Sequence, residues 1–423
     1  MAVKMYIKRH MEEFVQRIAR KKGVVIVTGS RQVGKSTMLM KTFTNHQYLS
    51  LNEPKAYEQA RESPSFFIRG YENVIIDEIQ KAPSLFEHIK EDIDKIIFER
   101  LEKNIKEPFG KYILTGSQSF HLMRGVTESL AGRAAIIQMT GLSQRELNGS
   151  LYTQPFMPTL EQIQAKEKSH RIKYDAKKII EIIHKGSFPE LHNQETDLKD
   201  WENFYSSYIG TYIAKDVRQI INVKDEASFI KFMRAIASLS GQQLNYTTLA
   251  EVVGRDVMTM KSWLNVLQTS GLVYLLPPYY NNFNKRLSKT PKLYLMDTGL
   301  MCYLGGWNTP EQLVHGAMWG QVFETYVMTE IIKSYYNDGH TLLHLYYYRD
   351  KEKKEIDLII EEAGTLYPVE IKTTSDPNKS MIRSFELLQK IPDKKVGAGA
   401  VVCLCETVLP LAGGNWVVPV EMI

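Results

Sequence analysis

Residues 24–39 read VVIVTGSRQVGKSTML, and this stretch decides the fold of the first third of the chain. Val24 to Thr28 form an apolar, β-branched run, the composition of a buried strand. Residues 29–36 then fit the pattern G-x-x-x-x-G-K-[ST], and an amphipathic helix is expected to begin at Lys35. A triphosphate needs this order of residues. Glycine lets the backbone curl round phosphate oxygens, successive N–H groups donate to them, and the positive end of the following helix adds attraction. Gly29, Ser30, Arg31, Gln32, Val33, Gly34, Lys35, Ser36 and Thr37 are therefore the expected ATP contacts. Lys35 would reach the β- and γ-phosphates, and the Ser36 hydroxyl would bind Mg²⁺.

Two further runs agree with a nucleotide site. NVIIDEIQ at 73–80 reads as a buried strand ending in two carboxylates. At a strand's carboxyl edge Asp77 would join the Mg²⁺ shell and Glu78 would polarise the attacking water. KYILTGSQS at 111–119 supplies another apolar strand, tipped by Thr115 and Ser117. Either hydroxyl would sense the γ-phosphate or orient the water, and turn formation accounts for both as well. Arg133, in ESLAGRAAIIQM at 128–139, stands just before a strand. A guanidinium there would neutralise charge on the transferred phosphoryl group, in cis or across a subunit boundary, or would make a structural ion pair. Adjacent Asp77 and Glu78 suit water activation, so hydrolysis fits better than small-molecule phosphorylation.

Composition sets the frame. With 423 residues the chain has room for two or three domains, each with its own core. Three cysteines are too few for a disulfide framework, and Cys403 and Cys405 lack the partners of a zinc site. The opening residues MAVKMYIKRHMEEF are charged rather than leader-like, and no run reaches the ~18 apolar residues of a membrane helix. A cytoplasmic protein without a membrane partner is the expectation. A net charge of +5 permits nucleic-acid binding without demanding it.

The segments GSRQVGKST, VIIDEIQKAP, ILTGSQS, SLAGRA, GLSQREL, GSFPEL and LMDTGL follow one another between residues 29 and 300. Together they resemble a prokaryotic group of AAA-superfamily P-loop ATPases that carry a C-terminal domain of unknown function. The resemblance implies a five-stranded parallel sheet in which the third, acidic strand is inserted between the loop strand and its partner. It implies for Lys35, Ser36, Asp77, Glu78 and Arg133 the roles given above.

Beyond this ATPase domain, expected over 1–150, residues 151–225 read as a helical linker with GSFPELHN as a turn signal. WENFYSSYIGTYIAKDVRQI at 201–220 reads as one long helix whose aromatics belong to the core. Over 226–300, Phe229, Phe232, Met233 and Ile236 share a helical face, and Thr248 and Glu251 have the spacing of a capping box. Val257, Met260, Leu264 and Leu267 repeat at helical spacing, and two alternating runs at 272–279 and 291–297 follow. Three helices and a hairpin predict a winged helix-turn-helix. Its third helix would expose Thr259, Lys261, Ser262, Asn265 and Gln268, with a single positive charge, while the wing at 281–292 carries Lys285, Arg286, Lys289 and Lys292. DNA or RNA contact and a lid or protein contact both suit that surface.

Residues 301–423 read as a helix, three strands at 342–349, 355–361 and 366–373, a helix at 380–391 and a strand at 397–405. That α-β-β-β-α-β order is the core arrangement of the restriction-endonuclease-like fold. Residues i and i+2 of a strand share a face, so Glu370 and Lys372 would converge with Asp357 of the neighbouring strand. Asp357, Glu370 and the Ile371 carbonyl would hold a second divalent ion, and Lys372 would orient a water or stabilise the pentavalent phosphate. Glu324 on the preceding helix would add a third carboxylate, which looks like junction-resolving members of that nuclease group. The whole chain is thus expected to be an α/β ATPase coupling its nucleotide state to a winged-helix and nuclease-like region that acts on nucleic acid. The rival is a nucleotide-driven switch, as homo-oligomer or with a protein partner, whose last domain only binds.

Overall fold

The computed structural model describes residues 6–104, 109–116, 129–169, 174–193, 195–212, 226–282, 286 and 289–423. Its first sheet is all parallel. Val24–Thr28 (β1), Gln47–Ser50 (β2), Val74–Asp77 (β3), Tyr112–Thr115 (β4) and Ala134–Gln138 (β5) lie in the order β2-β3-β4-β1-β5. β1, β3 and β4 are buried throughout, which is why they read as unbroken apolar runs rather than alternating ones. One expectation is corrected by this order. The strand beside β1 on the acidic side is β4, and acidic β3 lies one place further out, between β2 and β4. Register still sets Asp77 and Val27 on either side of Thr115, so all three end at one edge.

The middle of the chain follows as the helices Ala176–Lys185, Leu198–Tyr212, Glu226–Ser238, Tyr246–Val253 and Val257–Thr269. Trp201, Tyr205 and Tyr208 are buried in the core, while residues 213–220 of the long helix expected there lie outside the described residues. The cap of Tyr246–Val253 is Asn245, whose side chain accepts from the N–H groups of Thr247 and Thr248. The Thr248–Glu251 spacing is therefore not a capping box, because the helix begins two residues earlier. A small antiparallel sheet closes this unit, with Lys292–Leu295 (β8) between Gln242–Gln243 (β6) and Val273–Leu276 (β7).

The last unit sets the helix Trp319–Asn337 against a mixed sheet. Leu345–Arg349 (β9), Glu355–Glu362 (β10) and Thr365–Ile371 (β11) form an antiparallel meander. Ala400–Cys403 (β13) and Asn415–Pro419 (β15) extend it in parallel, and Lys395–Val396 (β12) and Leu409–Leu411 (β14) flank them. The helix expected at 380–391 is wound as a 3₁₀ helix over Lys379–Lys390. Ile382, Phe385, Leu388 and Ile391 recur every third residue, and a three-residue turn puts them on one stripe against the sheet. One apolar core runs from a face of the parallel sheet through the middle helices to the last sheet, and the opposite face of the first sheet has its own. Among the described residues no helix is long and apolar enough to cross a membrane.

Candidate nucleotide site and carboxylate cluster

The phosphate loop leaves β1 at Gly29, whose φ of 139° and position against Met139 admit no side chain: a β-carbon would stand 2.0 Å from the Met139 carbonyl oxygen. Gly34, at φ 92°, starts the helix Lys35–Thr42. Lys35 Nζ donates to the carbonyls of Gly29 at 2.9 Å and Ser30 at 2.7 Å, so its ammonium lies over the loop. Ser36 Oγ donates to Asp77 Oδ2 at 2.9 Å, and the Tyr48 hydroxyl donates to the same oxygen at 2.7 Å. The hydroxyl and carboxylate expected to share Mg²⁺ are thus already paired, and the donor set fits that ion. Glu78 follows in the left-handed region at φ 58°, a sparsely populated conformation for a side-chain-bearing residue, and Gln80 Nε2 donates to its carboxylate. Val33 is buried and Gln32 and Thr37 are exposed. A cleft lined by Gln32, Glu190, Asn203 and Ser207 opens beside the loop.

The remaining expected nucleotide residues divide. Thr115 is fully buried beside Asp77, and its hydroxyl has no hydrogen-bond partner among the described residues. Ser117 lies outside the described residues. Arg133 is not brought to the loop of its own chain. It precedes β5, whose first residue is level with Val24 and whose last is level with Thr28. The loop leaves the opposite end of the sheet, about 16 Å away at ~3.3 Å per strand residue. There Arg133 makes a bidentate pair with Asp94, Nε to Oδ1 at 2.5 Å and Nη2 to Oδ2 at 2.8 Å. The structural ion pair is what the fold contains, and a role in trans would require release from Asp94.

Arg9 has a role that no pattern in the sequence marks. Its buried guanidinium pairs with buried Glu146 at 2.9 Å and donates to the carbonyls of Val33 at 2.9 Å and Thr140 at 2.8 Å. It therefore fastens the phosphate loop to the GLSQREL segment. Burial works to raise the Glu146 carboxyl, but Arg9 and the Ser143 and His10 N–H groups hold it below the usual range.

In the last unit, Asp357 and Glu370 come together where β10 and β11 pair, next to Leu358 and Val369. A bulge between Ile356 and Ile359 re-aims β10 at this point. Lys372 Nζ lies 3.2 Å from Asp357 Oδ2 and 2.7 Å from Glu370 Oε2. Ile371 N–H donates to Asp357 at 2.9 Å, and Ser384 Oγ donates to Glu370 at 2.7 Å. Burial pushes the Glu370 carboxyl up to about 8, helped by Asp357. Burial also opposes charge on Asp357, but Lys372, Lys292 and the Ile371 N–H hold it below its usual value.

Glu324 is held differently from expectation. Its Oε1 accepts from Lys292 at 3.0 Å and from the Tyr294 hydroxyl at 2.7 Å, and Lys292 also pairs with Glu355 at 2.5 Å. Lys292 belongs to the basic wing expected at 281–292, yet its side chain is 4% exposed because Glu324, Glu355 and the Tyr347 ring enclose it. Arg286 of the same wing is likewise engaged, pairing with Glu361 at 3.1 Å between the rings of Tyr279 and Tyr346. Among the described residues no group of three or more His, Cys, Asp or Glu side chains is gathered as a metal would need. Two lysines stand among the carboxylates instead, so in this arrangement the cluster does not fit a second divalent ion.

Comparison with known proteins divides the chain in three. Residues 21–148 match the family described as an AAA domain, residues 176–311 a domain of unknown function (DUF8612), and residues 319–423 another (DUF4143). Over 411 residues the chain is 24% identical to the uncharacterized proteins Mb2031c of Mycobacterium bovis and Rv2008c of Mycobacterium tuberculosis, covering 97% of this chain and 82% of each. Among solved structures it is similar to the Walker-type ATPase PABY2304 of Pyrococcus abyssi, at 13% identity over 71% of this chain and 96% of that one, with a TM-score of 0.43. It is also similar to the ORC2 protein of Aeropyrum pernix, at 14% identity over 72% and 95%, with a TM-score of 0.36. The amino-terminal unit, with its phosphate loop at the edge of a five-stranded parallel sheet, is a P-loop AAA-type ATPase domain that binds nucleotide.

Proposed function

We propose that the chain hydrolyses ATP and conveys its nucleotide state through the middle unit to the carboxy-terminal one. The observation that carries this reading is the seating of the middle unit on the phosphate loop. A β-carbon on Gly271 would lie 3.6 Å from the Ser30 amide nitrogen, and one on Gly34 would lie 3.6 Å from Pro189 Cγ. A loop that reorders round a triphosphate must press on both neighbours. At the loop, Lys35 exchanges the Gly29 and Ser30 carbonyls for phosphate oxygens. Ser36 and Asp77 would hold Mg²⁺, and the ion would supply positive charge beside the phosphates. Glu78 orients the attacking water and Thr115 offers its hydroxyl from β4.

A second reading, favoured by the close set of Asp357, Glu370 and Lys372, makes the last unit a nuclease-like domain acting on DNA or RNA. The middle unit then serves as a winged helix whose exposed Lys261, Asn265 and Gln268 face the nucleic acid. The internal engagement of Arg286 and Lys292 favours the wing as a contact within the protein. Phosphate release without an acceptor, lost in Lys35→Ala, tests the first reading. Cleavage of labelled DNA or RNA with Mg²⁺ or Mn²⁺, lost in Lys372→Ala with turnover spared, tests the second. If no nucleic-acid form is cut, the last unit is a binding module driven by the ATPase.

A further inference from the structure

β8 has one end at each site. Just past its carboxyl end, Met296 N–H donates to the Leu272 carbonyl at 2.8 Å, next to the Gly271 that abuts Ser30. Asp297 Oδ2 accepts from the Ser187 N–H at 2.6 Å and the Ser187 hydroxyl at 2.7 Å, and Ser187 is two residues from the Pro189 that abuts Gly34. At the amino end of the same strand Lys292 enters the carboxylate cluster. Tyr294, on the same face two residues on, donates to the Glu324 oxygen that Lys292 also reaches.

The origin of the charges matters. Lys292 and Tyr294 come from the middle unit, whereas Glu324, Glu355, Asp357 and Glu370 come from the last one. Lys372 shares the sheet of its carboxylates, so its contacts do not depend on where β8 sits. The Lys292 contact lasts only while β8 is seated. Burial opposes its charge, and Glu324, Asp357 and Glu355 together outweigh that cost. Its withdrawal leaves Glu324, Glu355, Asp357 and Glu370 with Lys372 and Arg349 as their neighbouring cations, and opens the cluster to a cation from solution.

We propose that Lys292 is a tethered cation that closes the carboxylate cluster, and that nucleotide at the phosphate loop unseats β8 and withdraws it. This rests on the reading that the loop drives the middle unit. The strand is the device: its far end is pinned to both neighbours of the loop, and its near end holds Glu324 away from any other cation.

The test uses the full chain. Brief amine acetylation followed by peptide mass spectrometry reads Lys292, with exposed Lys289 as internal reference, without nucleotide and with a non-hydrolysable ATP analogue and Mg²⁺. Lys292 is expected to be protected without nucleotide and roughly tenfold more reactive with it, the size of an ordinary coupling between sites. In parallel, Fe²⁺ with ascorbate and peroxide is expected to cut the backbone near 357–372 in wild type only with the analogue, and in Lys292→Met with or without it. Unchanged Lys292 protection in protein that retains the analogue overturns the inference and leaves nucleotide binding intact. So does equal cutting in nucleotide-free wild type and Lys292→Met. Failure to retain the analogue on filtration instead removes the loop reading, and the inference with it. The acetylation arm needs no variant, so misfolding of Lys292→Met would not spare the proposal.

Discussion

Arg9 and Glu78 show how differently single residues announce themselves. Glu78 is legible because the strand, the adjacent Asp77 and the upstream loop form a local pattern. Arg9 is not, since a charged residue near the amino end reads as solvated until folding brings it to Glu146 and the Val33 carbonyl. Lys372 and Lys292 repeat the contrast. The first lies two residues from Glu370 and follows from strand periodicity, while the second reaches Glu324 only through tertiary packing. Replacing one partner of a buried pair leaves the other charge uncompensated, so Arg9→Met is expected to cost about 3–5 kcal/mol in denaturant unfolding. A loss within experimental error would mean that Glu146 finds another partner. Glu78→Gln keeps the Gln80 neighbourhood but removes the base. ATP turnover, followed as phosphate release, should fall by about 10²–10⁴-fold with nucleotide retention unchanged.

Elements were legible where a single period dominates. β1, β3 and β4 are continuous apolar runs, and each is a strand within the first sheet. Where two signals compete, the sequence misleads: the three-residue recurrence from Ile382 to Ile391 resembles half of a helical stripe, and Asn245 outcompetes Thr248 as a cap by offering its carbonyl to two N–H groups. The short helix Pro189–His192 carries a consequence that no pattern shows. Its His192 is half-buried with Nε2 2.7 Å from the Gly186 carbonyl, and desolvation pushes the imidazole down to about 4, with Lys185 adding to the effect. The native state therefore keeps His192 neutral while the unfolded chain takes up a proton below the ordinary histidine value of about 6.5. Stability from this group is complete above that pH, declines as the pH falls towards 4, and is lost below it. Urea unfolding midpoints taken across this window should slope in wild type, by at most about 1.4 kcal/mol per unit, and lose that component in His192→Gln. Equal slopes in the two proteins would place the proton uptake elsewhere.

At the scale of the whole molecule, segments read separately along the chain turn out to be one junction. GLSQREL, GSFPEL and LMDTGL meet through Leu142 N–H on the Ser187 carbonyl at 2.7 Å and through Ser187 on Asp297. The helix Trp319–Asn337 joins them by Glu330, which accepts from the Gln144 N–H at 2.8 Å. Asp297 is the centre of this junction. Its two oxygens take the Ser187 N–H and hydroxyl, the Tyr205 hydroxyl at 2.7 Å and the Leu300 N–H at 2.6 Å, four donors from three segments. Only a full carboxylate satisfies four donors at once, because an amide nitrogen would face one or two of them as a donor itself. Asp297→Asn is therefore expected to cost about 1–3 kcal/mol in unfolding free energy. The more telling readout is where nucleotide is felt. Hydrogen exchange in wild type should change on adding a non-hydrolysable ATP analogue both around the phosphate loop and in β8, β10 and β11. In Asp297→Asn the change should be confined to the loop and its sheet, because the pin that carries loop movement to β8 has been loosened while Lys35, Ser36 and Asp77 are untouched. The same exchange pattern in both proteins would mean that the Gly271–Ser30 contact transmits the signal by itself, and that Asp297 only holds the junction together.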